Sequence, residues 1–189
     1  LLGTIGTQLF TLGTTVIIAR FLGKEGFGEL GMIQSTIGLM GSFAGFGLGQ
    51  TTTKYVSEFK EKDPARTGRI IGLTYLVALI AGGIMTLVCV LAAPWLAIET
   101  LNAPHLTFFL QIGAIVLLIS AFNGVQSGTL SGFQAFKAGA KINLFQGLLT
   151  LPITFVLIYF LGLMGAVLSL LVSALSGMIM SGWVLSGQY

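Results

Sequence analysis

The feature that most constrains this chain is the length of its uncharged apolar runs. Six windows, roughly residues 1–21, 27–49, 68–93, 105–125, 141–161 and 163–185, are apolar almost throughout, and the charges collect in the gaps between them. A helix needs about 20 such residues to cross the hydrocarbon core of a bilayer. Strands of a membrane barrel would be about ten residues long and alternate in polarity, which these runs do not. The sequence therefore predicts an all-α polytopic membrane protein with six transmembrane helices. Only 8% of the residues are charged, against 54% hydrophobic; soluble domains carry about 25% charged residues, so a water-facing surface is out of reach. The net charge of +3 is small, and no basic-aromatic pattern points to nucleic acid. A single cysteine, Cys89, excludes an internal disulfide framework. The chain starts and stops at apolar segments, without an initiator Met, and the expectation is the N-terminal portion of a longer protein. Residues 1–21 lack the basic start and cleavage pattern of a signal peptide.

The connections predict the topology. Residues 22–26 and the region around Gly162 are too short for anything but tight turns, so the first two and last two windows read as helical hairpins. Residues 51–67, "TTTKYVSEFKEKDPART", are the most charged part of the chain, and Pro64 suits the first turn of the next helix. Tyr55 and Phe59, four apart, suggest that the second helix continues past the membrane into the interface. Residues 127–141, "SGTLSGFQAFKAGAK", resemble a short amphipathic segment with Leu130, Phe133 and Phe136 facing lipid. Lys54, Lys60, Lys62, Arg66, Arg69, Lys137 and Lys141 all fall on one side of this topology, and Arg20 and Lys24 on the other. Because Lys and Arg in short loops favour the cytoplasm, that split assigns both ends of the chain to the cytoplasmic side of a cell membrane.

Gly26, Gly28 and Gly31 spell GxGxxG, the glycine spacing of a dinucleotide-binding turn. Such a turn follows a short strand and precedes an acidic residue about 20 positions on. Here a full apolar run precedes it, and the nearest carboxylate on that side is Glu58. The glycines read instead as a hairpin: Gly23 ends the first helix in a left-handed conformation, and the others let the second helix pass close to a neighbour. The spelling FLGxxG recurs at residues 160–165, at the other expected hairpin.

Taken with "ARFLGKEGFGELG" between the first two windows, three further stretches carry a resemblance: "GFGLGQTTTKYVSEFKEKD", "GTLSGFQAFKAGAKINLFQG" and "YFLGLMGAVLSLLVSALSG". In order and spacing the chain resembles the polysaccharide-export and lipid-linked-oligosaccharide flippases of the multidrug/oligosaccharidyl-lipid/polysaccharide transporter superfamily. The resemblance implies a protein of 12 to 14 helices in two six-helix lobes, of which this chain would be the N-terminal one. It also implies alternating access, with a glycan head group carried through a central cavity while its polyprenyl tail stays in lipid. The implied partners are lipid-linked oligosaccharide, membrane lipids, the C-terminal lobe and glycan polymerases, with no nucleic acid. No cofactor, metal or catalytic residue is expected.

Within that frame the polar residues of the apolar windows are the candidates. Thr4, Thr7, Gln8, Thr11, Thr14 and Thr15 share about a third of the first helix's circumference at roughly 100° per residue. Such a stripe either bonds a neighbouring helix or lines a wet cavity. Gln8, Thr11 and Thr15 are candidates for substrate contact, as is Gln34. Arg20 either snorkels to head groups or holds a phosphate or sugar. Glu29 either answers the helix dipole in a first turn or contacts substrate or a coupling ion; the resemblance implies an acidic cavity residue at a related position. Asn123, Gln126, Asn143 and Gln146 lie near the cytoplasmic mouth, where they meet an entering glycan or bond head groups and backbone. Pro152 is a candidate hinge. His105, beside Pro104, reads as a surface residue rather than a proton relay.

Flipping a pyrophosphate-linked lipid calls for cavity cations, yet no Lys or Arg falls between the two interfaces. Either a second lobe supplies them, or Arg20 does, or the substrate is less anionic than supposed. The leading reading is a flippase carrying an O-antigen, capsule or exopolysaccharide unit to the outer leaflet. A cation-coupled multidrug antiporter on the same fold is the alternative. A glycan ligase or polymerase would need clustered catalytic groups, and the outer loop offers Glu99, Asn102 and His105. A scaffold that does not transport is a further class.

Overall fold

The computed structural model describes residues 2–45 and 47–186, and all regular structure among them is helical. Six α-helices succeed one another in chain order: α1 (Leu2–Gly45), α2 (Leu48–Phe59), α3 (Pro64–Trp95), α4 (Thr107–Gly132), α5 (Phe136–Leu161) and α6 (Leu163–Ser186). A π-helical turn, Leu96–Thr100, prolongs α3, and a 3-10 turn, Pro104–Leu106, leads into α4. Four helical runs are long and apolar enough to cross a membrane: Pro64–Thr100, Pro104–Gly132, Lys137–Leu161 and Leu163–Leu185. The chain is a multi-pass membrane protein.

The expected window 1–21 and most of the window 27–49 fall in α1, which is interrupted at Gly23 by φ 70 and ψ −173. That region of backbone space is open almost solely to glycine, and nothing lies within 4 Å of where a Cβ would stand. The break divides α1 into two limbs. Thr15 of the first limb and Gln34 of the second line the same cavity, so the chain folds back at the turn that the glycines announced.

The expected unbroken continuation of the second helix is corrected. Gly47 adopts φ 69 and ψ 14, a left-handed residue, and α2 starts afresh at Leu48. The break lies inside an apolar, glycine-rich stretch where hydropathy registers no boundary. Glycines on both helices then let α2 press closely against α4. A Cβ on Gly128 of α4 would collide with the carbonyl oxygen of Gly49, and one on Gly49 would stand 2.9 Å from that of Gly124. With no side chain in the way, Thr53 Oγ1 donates to Gly128 O at 3.0 Å. The charged turn ends as the sequence predicts, with Pro64 in the first turn of α3 and the Asp63 carboxylate accepting from Arg66 N at 2.9 Å. The guanidinium of Arg66 lies 4.2 Å from the Phe59 ring centre.

The amphipathic segment expected over residues 127–141 is also corrected. α4 runs to Gly132 and α5 begins at Phe136, leaving only a tight turn in which Gln134 has φ 59. Leu130 is buried with Ile142 and Leu185 rather than facing lipid, and Phe133 packs against them. The side chains of Thr4, Thr7 and Phe136 lie outside the described residues.

The main core joins five helices through Ile33 and Ile37 of α1, Cys89 of α3, Leu110 and Leu117 of α4, Ile158 of α5 and Val167 of α6. Small residues set the spacing, as expected where lipid offers no drive to bury apolar area and helices associate by close contact. Outward, Leu76, Ile80, Ile84, Leu87 and Leu91 of α3 are all more than half exposed. In water such a face would drive aggregation; against acyl chains it is at rest.

Candidate substrate cavity

Both limbs of α1, the C-terminal half of α4, α5 and α6 line two open cavities of about 640 and 420 Å³. Both volumes are within the range of about 300–1,000 Å³ usual for ligand sites. The larger meets Gln8, Asn123, Ser127 and Ser181, near the α4–α5 turn. The smaller lies deeper, among Thr11, Thr14, Thr15 and Gln34 of α1, Thr150 and Thr154 of α5, and Ser169 and Ser173 of α6. Asn143 and Gln146 line both, so the two are successive chambers of one track. Among the described residues no charged side chain lines either chamber.

Local sequence explains how the walls are held. Gln146 Nε2 donates to Ser173 O at 2.8 Å, tying α5 to α6. Gly177 gives it room, for a Cβ there would stand 3.0 Å from that nitrogen. Asn123 Nδ2 donates to Ala174 O at 2.9 Å, tying α4 to the adjacent carbonyl of α6. A buried amide left unpaired in the membrane would cost about 1–3 kcal/mol, so these two side chains act as struts as well as lining. Thr15 Oγ1 turns back to Thr11 O at 2.9 Å, which leaves its methyl group and a hydroxyl lone pair for the cavity. Asn143 and Gln34 are exposed on the cavity side and make no hydrogen bond to any described residue.

The track thus gathers seven of the sequence candidates: Gln8, Thr11, Thr15, Gln34, Asn123, Asn143 and Gln146. Four lie elsewhere. Gln126 is buried beside Gly182, with its Oε1 lacking a partner among the described residues. Pro152 is inside α5, which continues through it. Arg20 is exposed near the Gly23 turn. Glu29 sits at the same end, where its Oε1 meets His105 Nε2 at 2.6 Å. His105, expected as a surface residue, is indeed 58% exposed at its side chain but holds this partner. Sequence reasoning missed Thr150, Thr154, Ser169 and Ser173. Their signal was available, because each pair is spaced i, i+4: Thr150 and Thr154 continue the α5 stripe begun by Asn143 and Gln146, and Ser169 and Ser173 share a face of α6. No group of His, Cys, Asp or Glu among the described residues could hold a metal ion.

The comparison with known proteins decides the family. The family model described as polysaccharide biosynthesis protein matches residues 1–189. The chain belongs to the polysaccharide biosynthesis protein family. The lipid III flippase of Escherichia coli (strain K12) is 27% identical over 165 residues, covering 85% of this chain and 39% of that protein. The lipid III flippase of Shigella flexneri is similar to the same extent. The chain therefore spans about two fifths of the length of the curated relatives it matches. No solved structure matches this family member.

Proposed function

We propose that this chain is the N-terminal lobe of a flippase that carries a polyprenyl-linked oligosaccharide from the cytoplasmic to the outer leaflet of the cell membrane by alternating access. In this reading both limbs of α1 also cross the bilayer, giving six spans, and a second lobe completes the central passage. The observation that carries it is the two-chambered track, which offers hydroxyls and amides to a glycan. The tail stays outside, against the apolar faces of the helices. The seven-to-two distribution of cations supports entry from the cytoplasmic end, where the larger chamber lies. Repeated bundles rocking about a shared site supply the motion.

The antiporter alternative needs an acidic group free to exchange an ion inside the bundle. Glu29 is the acidic side chain within the apolar part of α1, and it is engaged by His105 outside both chambers, which favours the flippase. A ligase or polymerase finds no cluster of catalytic groups among the described residues of the track.

The test reconstitutes the full-length protein in proteoliposomes and follows a lipid-linked oligosaccharide to an enzyme that trims glycans only from outside. Protein-dependent exposure of the glycan is expected. Absence of translocation, together with gradient-driven efflux of a cationic dye, would establish the antiporter instead.

A further inference from the structure

The chemistry of the track is narrower than the family requires. Threonines elsewhere in the helices commit their hydroxyls to the carbonyl four residues back, as Thr36, Thr52, Thr74 and Thr129 do at 2.7–2.8 Å. This back-bonding is the default for a hydroxyl with no other partner in reach. Thr150 and Thr154 on the wall of the deeper chamber depart from it: both hydroxyls are buried, and neither has a hydrogen-bond partner among the described residues. Thr154 is 1% exposed. Beside them stand the unbonded amides of Asn143 and Gln34. Unsatisfied polar groups in an apolar bundle are costly, and such concentration around one chamber marks a site whose bonds are completed by something that enters. An anion does not suit it. A phosphate at membrane depth needs a cation, and the lining holds none. Amides and hydroxyls that can both donate and accept match the hydroxyl and acetamido groups of a sugar.

The geometry points to the deeper chamber as a subsite for an uncharged sugar residue, read by Asn143 of α5 and Gln34 of α1, with the carrier's phosphates held outside this lobe's track. Asn143, shared by both chambers, is the specificity-determining side chain. This rests on the flippase reading and adds the class of sugar to it. A charged sugar meets no counterion in that lining, so the subsite also discriminates against charged sugars.

The experiment measures binding of N,N′-diacetylchitobiose, a neutral acetamido disaccharide, to the purified full-length protein, with inorganic pyrophosphate as competitor. The same preparations are assayed for lipid-linked oligosaccharide translocation. Saturable chitobiose binding that pyrophosphate does not displace is expected. Asn143→Leu should weaken it about five- to tenfold, the worth of one hydrogen bond, while Asn143→Gln restores most of it. Asn143 makes no hydrogen bond to the described residues of the fold, so its loss leaves thermal unfolding unchanged; where Asn143→Leu does not fold, Gln34→Leu on α1 replaces it. Displacement by pyrophosphate, absence of saturable chitobiose binding, or wild-type affinity in the leucine variant overturns the proposal. If the wild type translocates and Asn143→Leu does so equally, the subsite fails and the flippase reading stands. If the wild type translocates nothing, the flippase reading fails, and the binding arm still decides the subsite.

Discussion

Glu29 Oε1 and His105 Nε2 meet at 2.6 Å although 76 residues separate them, joining the second limb of α1 to the turn that opens α4. The contact sits beside the Gly23 turn, at the opposite end of the bundle from the charged α2–α3 connection. Two consequences are separable. As a structural link between partly exposed groups, with His105 58% and Glu29 29% exposed, its worth is at the low end of about 0–1 kcal/mol. Glu29→Gln should therefore leave membrane insertion intact and shift the thermal midpoint by only a degree or two. If the pair also stabilises one state of the transport cycle, the same variant slows translocation several-fold. Unchanged translocation would leave the pair as a helix clamp.

The glycine seam between α2 and α4 makes a prediction of a different kind. A Cβ on Gly128 would run into the backbone of Gly49, whereas one on Gly113 meets only the end of the Ile37 side chain. Backbone cannot step aside, but a side-chain terminus can rotate. Overpacking costs typically about 1–3 kcal/mol, so Gly128→Ala should lie at the upper end of that range and Gly113→Ala at or below the lower. Unfolding midpoints of the purified variants in detergent compare the two directly, and equal destabilisation would show that the helices slide apart at no cost.

The Gly23 turn can be tested free of packing, because the space around it is open. Its φ 70 with ψ −173 belongs to glycine, and a side chain there costs about 1–3 kcal/mol of strain. Gly47, at φ 69 and ψ 14, is in the left-handed region that Asn visits readily. Gly23→Ala should accordingly reduce yield and thermal stability, while Gly47→Asn is close to neutral. The reverse order would mean that α1 does not fold back where Gly23 breaks it.

These contrasts also show how far the sequence could be read. Long apolar runs and the glycines at 23 and 162 announce helices and hairpins, because hydropathy and positive φ are local properties. The stripe of Gln8, Thr11 and Thr15 is legible for the same reason, since helical spacing places those residues on one face. The break at Gly47 is hidden by apolar neighbours that fit either a helix or its end. Leu130 looks lipid-facing until α5 and α6 arrive to cover it. The Glu29–His105 contact, and the carbonyls of Ser173 and Ala174 that receive Gln146 and Asn123, depend on which helices pack together. No local pattern carries that information.

Orientation is the remaining consequence, and the fold sharpens it. α2 packs on the C-terminal half of α4 through Gly49 and Gly128, so Lys54, Lys60 and Lys62 belong to that end of the bundle. Lys24 adjoins Gly23, at the end where Glu29 meets His105 beside the N-terminus of α4. The two groups of cations are thus separated along α4, whose 26 residues span about 39 Å at roughly 1.5 Å per residue. Lys24 and Lys62 are both exposed, and Cys89, the chain's single thiol, is buried at 0% exposure. Labelling of one introduced cysteine with a membrane-impermeant maleimide is then clean without removing Cys89. In intact cells Lys24→Cys should label and Lys62→Cys should not, with labelling of the latter appearing after permeabilisation, because the cation-rich end is held inside. The opposite pattern would reverse the orientation and move the larger chamber to the outer side, so that a glycan would enter where it is proposed to leave.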